Sequence, residues 1–510
     1  MAPREDSTAD FPLRQRSLTA GDVQCYRLAE VLSEALIFFL VIFGPWAFGT
    51  TQTWSIRTAN LAGLGLGLLL VVKLAIRGFK GYRPPRWDDP ESTPPSPGPR
   101  WITIGLALLT VALVAYCLVS VINARAVFHP DQGNFKYFES VRWLPNSLDA
   151  ARSTEALFTC LALAAAFWAI RDWLLGRTAG EHLGRQGPRH GITKGAPLFP
   201  ARLRRLLWLL AINGGLLGLE GIAQRLEGSG QLLFLVKPRV NANAVTQFGP
   251  WAYRANASQY FNLLWPVCLG FWWTLHRAYG FHQKRHHLLL LCGIVMAACP
   301  VISTSRGGAL ITAGLVVIAA CFFLTAHFTW AAGSRTNVVV RRLTLGLVLM
   351  FFLAALAIGV GLGWAKLEPR FEEIPQGFAA REQIFESARP MAGDYPIFGT
   401  GPGTFETVFQ LYRGSTNTYW PAQLHNDWLE TRITFGWVGS LLIGLAFLLV
   451  LARWFVPAGI HGGRRFTVLT WLALTGVLVH ARYDFPFQIH SVLALFVVLC
   501  AILSCLSRRP

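Results

Sequence analysis

Residues 424–452 read LHNDWLETRITFGWVGSLLIGLAFLLVLA, and the fold is decided by how this stretch is understood. A polar start runs into an apolar segment, near residues 430–452, that is long enough to cross a hydrocarbon layer. At ~100° per residue, an unbroken helix puts His425, Arg432, Gly436 and Gly439 on one face and points Asp427 and Glu430 elsewhere. An imidazole, a fixed cation and two positions without side chains then share one stripe. The glycines would let another helix or a ligand come close. The plainer reading is an interfacial histidine at a helix start, with a packing glycine pair.

The rest of the chain repeats the apolar pattern. Of 510 residues, 53% are hydrophobic and 14% charged. Apolar runs of about 18–22 residues match a ~30 Å hydrocarbon core. Twelve spans are expected, near 33–50, 58–76, 101–122, 153–172, 205–224, 257–276, 287–304, 308–328, 343–364, 430–452, 466–481 and 486–506. The expected class is an all-α polytopic membrane protein with a large periplasmic loop, 365–429, between the ninth and tenth spans. Three regions follow: a cytoplasmic N-terminal segment 1–32, N-terminal spans 33–199 with Pro-rich and basic cytoplasmic loops, and a membrane domain 200–507.

Lys and Arg concentrate in alternate segments, among them Arg77, Lys80, Arg83, Arg86, Arg202, Arg204, Arg205, Arg341, Arg342, Arg464 and Arg465. The positive-inside pattern then places both termini in the cytoplasm. It also accounts for most of the +19 formal charge without a nucleic-acid partner. The polar first 32 residues lack the pattern of a removable signal peptide, so the first span is expected to act as an uncleaved anchor. The nine Cys lie in apolar spans or the N-terminal segment, which gives no disulfide framework and no metal spacing. Residues 81–100 and 176–204 read as spacers.

The chemistry-bearing residues gather on the expected outer side. Arg306 follows Ser303-Thr304-Ser305 and precedes Gly307-Gly308. A guanidinium beside exposed backbone N–H groups suits phosphate oxygens, whereas the plainer reading is a snorkelling arginine at a helical hairpin. Arg239 and Arg254 bracket a loop containing Asn241 and Asn243, with Asn256 just beyond. The long loop contains Arg381 and the run Gly399-Thr400-Gly401-Pro402-Gly403. No strand–turn–helix unit surrounds that run, so it reads as a tight turn at the membrane surface rather than a dinucleotide site.

Five segments, in order, together resemble the O-antigen ligase family, which includes O-antigen polymerases and related lipid-linked glycan ligases. They are Phe248-Gly249-Pro250 to Asn256, ahead of Leu264-Trp265-Pro266; Ser305-Arg306-Gly307; Asp394-Tyr395-Pro396 to Phe405; His425-Asn426 to Gly436 and Gly439; and Asp484-Phe485-Pro486-Phe487-Gln488-Ile489. The resemblance covers roughly residues 200–495. It implies transfer of a glycan from undecaprenyl diphosphate to an acceptor hydroxyl, lipid A core or a growing glycan, at the periplasmic face of the bacterial inner membrane. It implies no cofactor and no metal. His425 is then the catalytic base and Arg306 the catalytic cation. Arg239 or Arg254, Asn256, Arg381, Arg432 and Asp484 would contact substrate, and Gly399, Gly401, Gly403, Gly436 and Gly439 would be structural. The residues suit this independently, because a diphosphate leaving group needs fixed cations and an imidazole titrates near neutrality. Direct attack would invert the anomeric centre. The rival from another class is a twelve-helix secondary transporter, or an exporter of a polysaccharide or lipid-linked precursor. It would be expected to place polar groups at mid-bilayer in two related halves.

Overall fold

The computed structural model describes residues 17–88, 98–182, 199–331, 338–414, 422–457 and 460–508. Residues 1–16, and the middles of the two spacers at 89–97 and 183–198, lie outside them. The longer helices are α1 (Ala20–Trp46), α2 (Thr53–Phe79), α3 (Gly98–Ile122), α4 (Ala150–Leu175), α5 (Ala201–Glu227), α6 (Arg254–Tyr279), α7 (Leu288–Ile302), α8 (Arg306–Ala331), α9 (Val338–Gly359), α10 (Ile374–Asp394), α11 (Asp427–Ala452), α12 (Arg464–His480) and α13 (His490–Cys505). Short strands β1 (Ala126–His129) and β2 (Asn134–Tyr137) form an antiparallel hairpin between α3 and α4.

Each of the twelve expected spans coincides with one of these helices, with α10 as an addition. Among the described residues, nine helices are long and apolar enough to cross a membrane, and α13 is a shorter apolar one. α6 and α12 fall outside that group for different reasons. α12 has 17 residues, short of the roughly 20 a span needs. α6 is long enough, with 26 residues, but too polar in its first half, and it is wrapped by protein, with Ala255 through Trp272 continuously buried. It packs on α7, α8 and α12, so its Asn256, Ser258, Gln259 and Asn262 meet other helices rather than lipid. Asn262 is satisfied there, donating to the Gly308 carbonyl at 3.1 Å and accepting from the Thr312 hydroxyl at 2.7 Å. By contrast, α3 leaves Leu108, Val111, Leu118 and Ile122 exposed, as a lipid-facing helix does.

Several basic residues at one end of the bundle are internally neutralised. Lys73 is fully buried between Glu30 at 2.9 Å and Asp172 at 2.8 Å, and Asp172 also meets Arg77 and Arg86. The network ties α1, α2 and α4 together, because a buried charge beside apolar helices is tolerated only when paired.

The described residues of the 365–429 segment fold into a packed unit rather than an open polar loop. α10 lies within it, and Phe385, Ala388, Met391, Phe405, Val408 and Phe409 form a second apolar core with Leu148, Leu424 and Ile433. This core fixes the segment against the starts of α4 and α11, at the end of the bundle that carries His425.

Candidate active site

α11 begins at Asp427, after the Asn426 side chain caps it by accepting from the Leu429 N–H at 3.2 Å. His425 therefore precedes the helix, in a left-handed conformation at φ 59°. Gly436 breaks the helix further on, at φ 59° and ψ −165°. The expected stripe of His425, Arg432, Gly436 and Gly439 does not form. The cap removes its first member from the helix, and the break at Gly436 interrupts the 3.6-residue period.

The histidine is instead placed by tertiary contacts. Its Nδ1 lies 3.1 Å from Asp484 Oδ1, and its ring meets the Phe485 ring edge-on at 4.6 Å. Tyr253 stacks on Phe485 at 5.5 Å and stands edge-on to His425 at 6.3 Å. The imidazole keeps a quarter of its surface exposed, whereas the Asp484 side chain is buried. Burial alone would raise the Asp484 carboxyl. The His425 hydrogen bond and the charges of His425 and Arg381 outweigh it and hold the group below the usual carboxylate range. His480 Nε2 lies 3.9 Å from the other oxygen, and Arg381 donates to the Tyr483 carbonyl next door. Arg381 and Asp484, two expected substrate contacts, are thus built into the frame around His425.

Asp427 and Glu430 have a role that helix periodicity hid. Asp427 accepts from the Phe487 N–H at 2.8 Å and from Gln488 Nε2 at 3.3 Å, and Glu430 accepts from the Leu424 N–H at 2.8 Å. Both are buried and clamp the segments on either side of the His425–Asp484 pair.

The glycines form a seam within the chain. The break at Gly436 frees backbone groups of α11, and residues 396–401 take them up. Thr400 N–H donates to the Ile433 carbonyl at 2.8 Å and Gly401 N–H to Thr434 at 3.0 Å. Trp437 N–H donates to Pro396 at 3.0 Å and Val438 N–H to Ile397 at 3.1 Å. A Cβ on Gly436 would stand 2.2 Å from the Ile397 oxygen, and one on Gly399 would stand 2.5 Å from the Ile433 oxygen. The Tyr116 hydroxyl of α3 is within reach of the carbonyls of Phe398 and Phe435, one on each side. Gly401 and Gly403 pack closely on Ser147 and Arg152 at the start of α4, and Gly439 makes room for Phe435 of its own helix. Arg432, expected to face substrate, donates to the Pro396 carbonyl at 2.8 Å and stacks on Trp437 at 4.2 Å. It braces the seam.

Arg306 opens α8. Its Nη1 donates to the Arg370 carbonyl at 3.1 Å and lies 3.8 Å from Glu373. Arg370 in turn donates to the Thr304 carbonyl. Burial lowers the Arg370 guanidinium below its ordinary value, and the like charge of Arg306 adds to the effect. Arg254, at the start of α6, donates to the Val245 carbonyl at 2.7 Å and feels the charges of Arg370, Arg225 and Arg306. Arg225 is buried and donates to the carbonyls of Ala244, Val245, Gln247 and Ser303, which fixes the loop beneath the others. Arg239 is exposed on the 238–243 segment. Arg254 is therefore the one of the two candidates that joins the cluster. Asn256 lies one turn beyond it, buried, and its Oδ1 has no hydrogen-bond partner among the described residues.

Two residues join the cations to the histidine. Tyr253 touches the His425 ring and precedes Arg254. Burial is the main cause that raises its hydroxyl, with the Asp484 charge adding and Arg381, Arg254 and Arg370 opposing. His480, beside Asp484, would stand 3.0 Å from a Cβ placed on Gly307, next to Arg306. One constellation thus holds a positioned imidazole and a group of like-charged guanidiniums whose repulsion an anion would relieve. Tyr253, Arg370 and His480 escaped the sequence reading. The only available signal for Tyr253 was its place directly before Arg254.

Residues 291–444 match the family model described as O-Antigen ligase. Over that segment, about a third of the chain, the protein is similar to the O-antigen ligase family. The match contains Arg306, Arg370, the glycine seam and His425, whereas Arg254, His480 and Asp484 lie outside it and reach the site through the fold. No curated protein matches the chain. That similarity, in a protein with nine helices long and apolar enough to cross a membrane among its described residues, supports membrane glycan transfer in general.

Proposed function

We propose that the chain transfers a glycan from undecaprenyl diphosphate to an acceptor hydroxyl, of lipid A core or of a growing glycan, at the periplasmic face of the inner membrane. The observation that carries this reading is the His425–Asp484 pair beside Arg254, Arg306 and Arg370, with Tyr253 between them. Asp484 accepts the Nδ1 proton and so leaves the Nε2 lone pair free to act as a base. The acceptor oxygen attacks the anomeric carbon as its proton passes to Nε2. The bond between that carbon and the diphosphate oxygen breaks, and its electron pair leaves with the diphosphate. Arg306, Arg370 and Arg254 stabilise the charge that grows there. Fixed guanidiniums supply the positive charge that a metal would otherwise bring to the diphosphate. A single displacement inverts the anomeric centre.

Purified full-length protein, incubated with an undecaprenyl-diphosphate-linked glycan and candidate acceptors without added divalent metal, should yield the glycosylated acceptor and free undecaprenyl diphosphate. Export of the donor from proteoliposomes with no new glycosidic bond would replace this reading with the transporter one.

A further inference from the structure

We propose that His276, His286 and His287 form a binding site for a first-row divalent transition metal, zinc being the best fit, which clasps α6 to α7 at the end of the bundle opposite His425. His276 lies in the last turn of α6, and His286 and His287 form the single turn that leads into α7. From Arg254 to His276 is 22 residues of α6, roughly 33 Å at the helical rise, so this cluster is separate from the transfer site.

The geometry suits a metal. One ligand atom from each ring lies within 4.8 Å of the others. His276 Nδ1 and His286 Nε2 are 3.2 Å apart. Two nitrogens bound tetrahedrally to zinc at ~2.0–2.1 Å stand about 3.3 Å apart, so this spacing is already that of two ligands of one ion. The second ring nitrogen of His276 is held in the way that a second-shell partner holds a metal ligand. Thr344 of α9 lies 3.0 Å from His276 Nε2 and can accept its proton, which leaves His276 Nδ1 for the ion, whereas the Trp272 N–H, 3.4 Å from His287 Nδ1, has to turn away for His287 to ligate. Trp272 stacks on His276 at 5.0 Å, and Phe281 closes its edge at 4.9 Å.

Imidazole-only ligation points to zinc or its first-row neighbours rather than calcium or magnesium, which prefer oxygen. Three protein nitrogens leave a fourth position for water. Phe281, at the edge of His276, also lines a groove with Arg342, Leu343 and Met350. The nearby charge of Arg277 opposes a cation, so binding depends on direct metal–nitrogen bonds.

The test uses full-length protein purified in detergent through a tag without histidine, stripped with chelator, equilibrated with Zn²⁺ and desalted. The expected result is one zinc per chain and a raised melting temperature, both lost in His286→Gln and His287→Ala. Thr344→Val should weaken zinc binding about 10–100-fold, as losing a second-shell partner does. Cobalt bound to the unaltered protein should show the intense visible bands of a tetrahedral site, a readout that does not depend on any variant folding. Absence of retained zinc and of those bands overturns the proposal, and so does full zinc retention by a folded His286→Gln protein. The site does not take part in the proposed transfer, so its failure would leave that reading untouched.

Discussion

Asp484→Asn separates a positioned base from a merely neighbouring histidine. The carboxylate is buried, accepts His425 Nδ1 at 3.1 Å and accepts the Phe485 N–H at 3.1 Å. An amide keeps the shape but can offer its NH₂ to Nδ1. That favours the tautomer with the proton on Nε2, where the acceptor proton must go. General-base catalysis is worth about 10²–10⁴-fold, and the same exchange in a serine-protease triad costs about 10⁴-fold. The expected loss in turnover is therefore ~10²–10⁴-fold, or ~3–5 kcal/mol of transition-state stabilisation. Donor binding should change little, because the cation cluster is intact. The assay is a single-turnover rate with the lipid-linked glycan in excess of its binding constant, beside a melting curve in the same detergent. His425→Ala should lose a similar factor, and the double variant should lose little more than either single one, as residues acting as a unit do. A folded Asp484→Asn protein with parental turnover would refute the pairing, and fully multiplicative losses would show that the two residues act separately. The pair also bears on stability. Because the folded-state carboxyl sits below its ordinary value, Asp484 contributes stability above the ordinary carboxylate range, and this is lost as pH falls through the lowered value.

Arg306→Lys keeps a charge but loses the planar fork, so transfer should fall strongly with the fold intact, and Arg370→Ala should weaken donor binding. Parental kinetics in both would return Arg306 to a snorkelling role. Gly436→Ala should destabilise the protein by more than ~1 kcal/mol, read as a lower melting temperature, because its Cβ would meet the Ile397 oxygen at 2.2 Å in a left-handed conformation. An unchanged melting temperature would show that the seam yields. Asp427→Ala leaves the Phe487 N–H without its acceptor and should cost about 1–3 kcal/mol of stability, whereas Asp427→Asn, which retains an acceptor oxygen, should cost less; equal costs would mean that the acceptor oxygen is not what matters. Glu386, in the 365–429 segment, and Arg83, in the first basic spacer, are both exposed and serve to test topology. With Cys25 and Cys321 replaced by Ser, Glu386→Cys should react with an impermeant thiol reagent in spheroplasts and Arg83→Cys should not, and the reverse result would invert the orientation.

The run of apolar segments determined the helices, because covering the backbone in a hydrocarbon layer leaves little alternative to helix formation, and that constraint is written locally in residue type. Residue chemistry likewise singled out His425 and Arg306. Local periodicity misjudged the segment around His425, because it assumes an unbroken helix. The Asn426 cap and the left-handed Gly436 both break that assumption, and Gly436 can take its conformation only because residues 396–401 supply the bonds the helix gives up. The same limit hid Asp484 as the partner of His425, 59 residues away, and Arg370 and Tyr253 as members of the cation cluster. Which residues meet across such distances depends on how helices and loops dock. The polar residues of α6 show the same division, since the sequence marks them as polar, but only the packing of α7, α8 and α12 around them makes them interior.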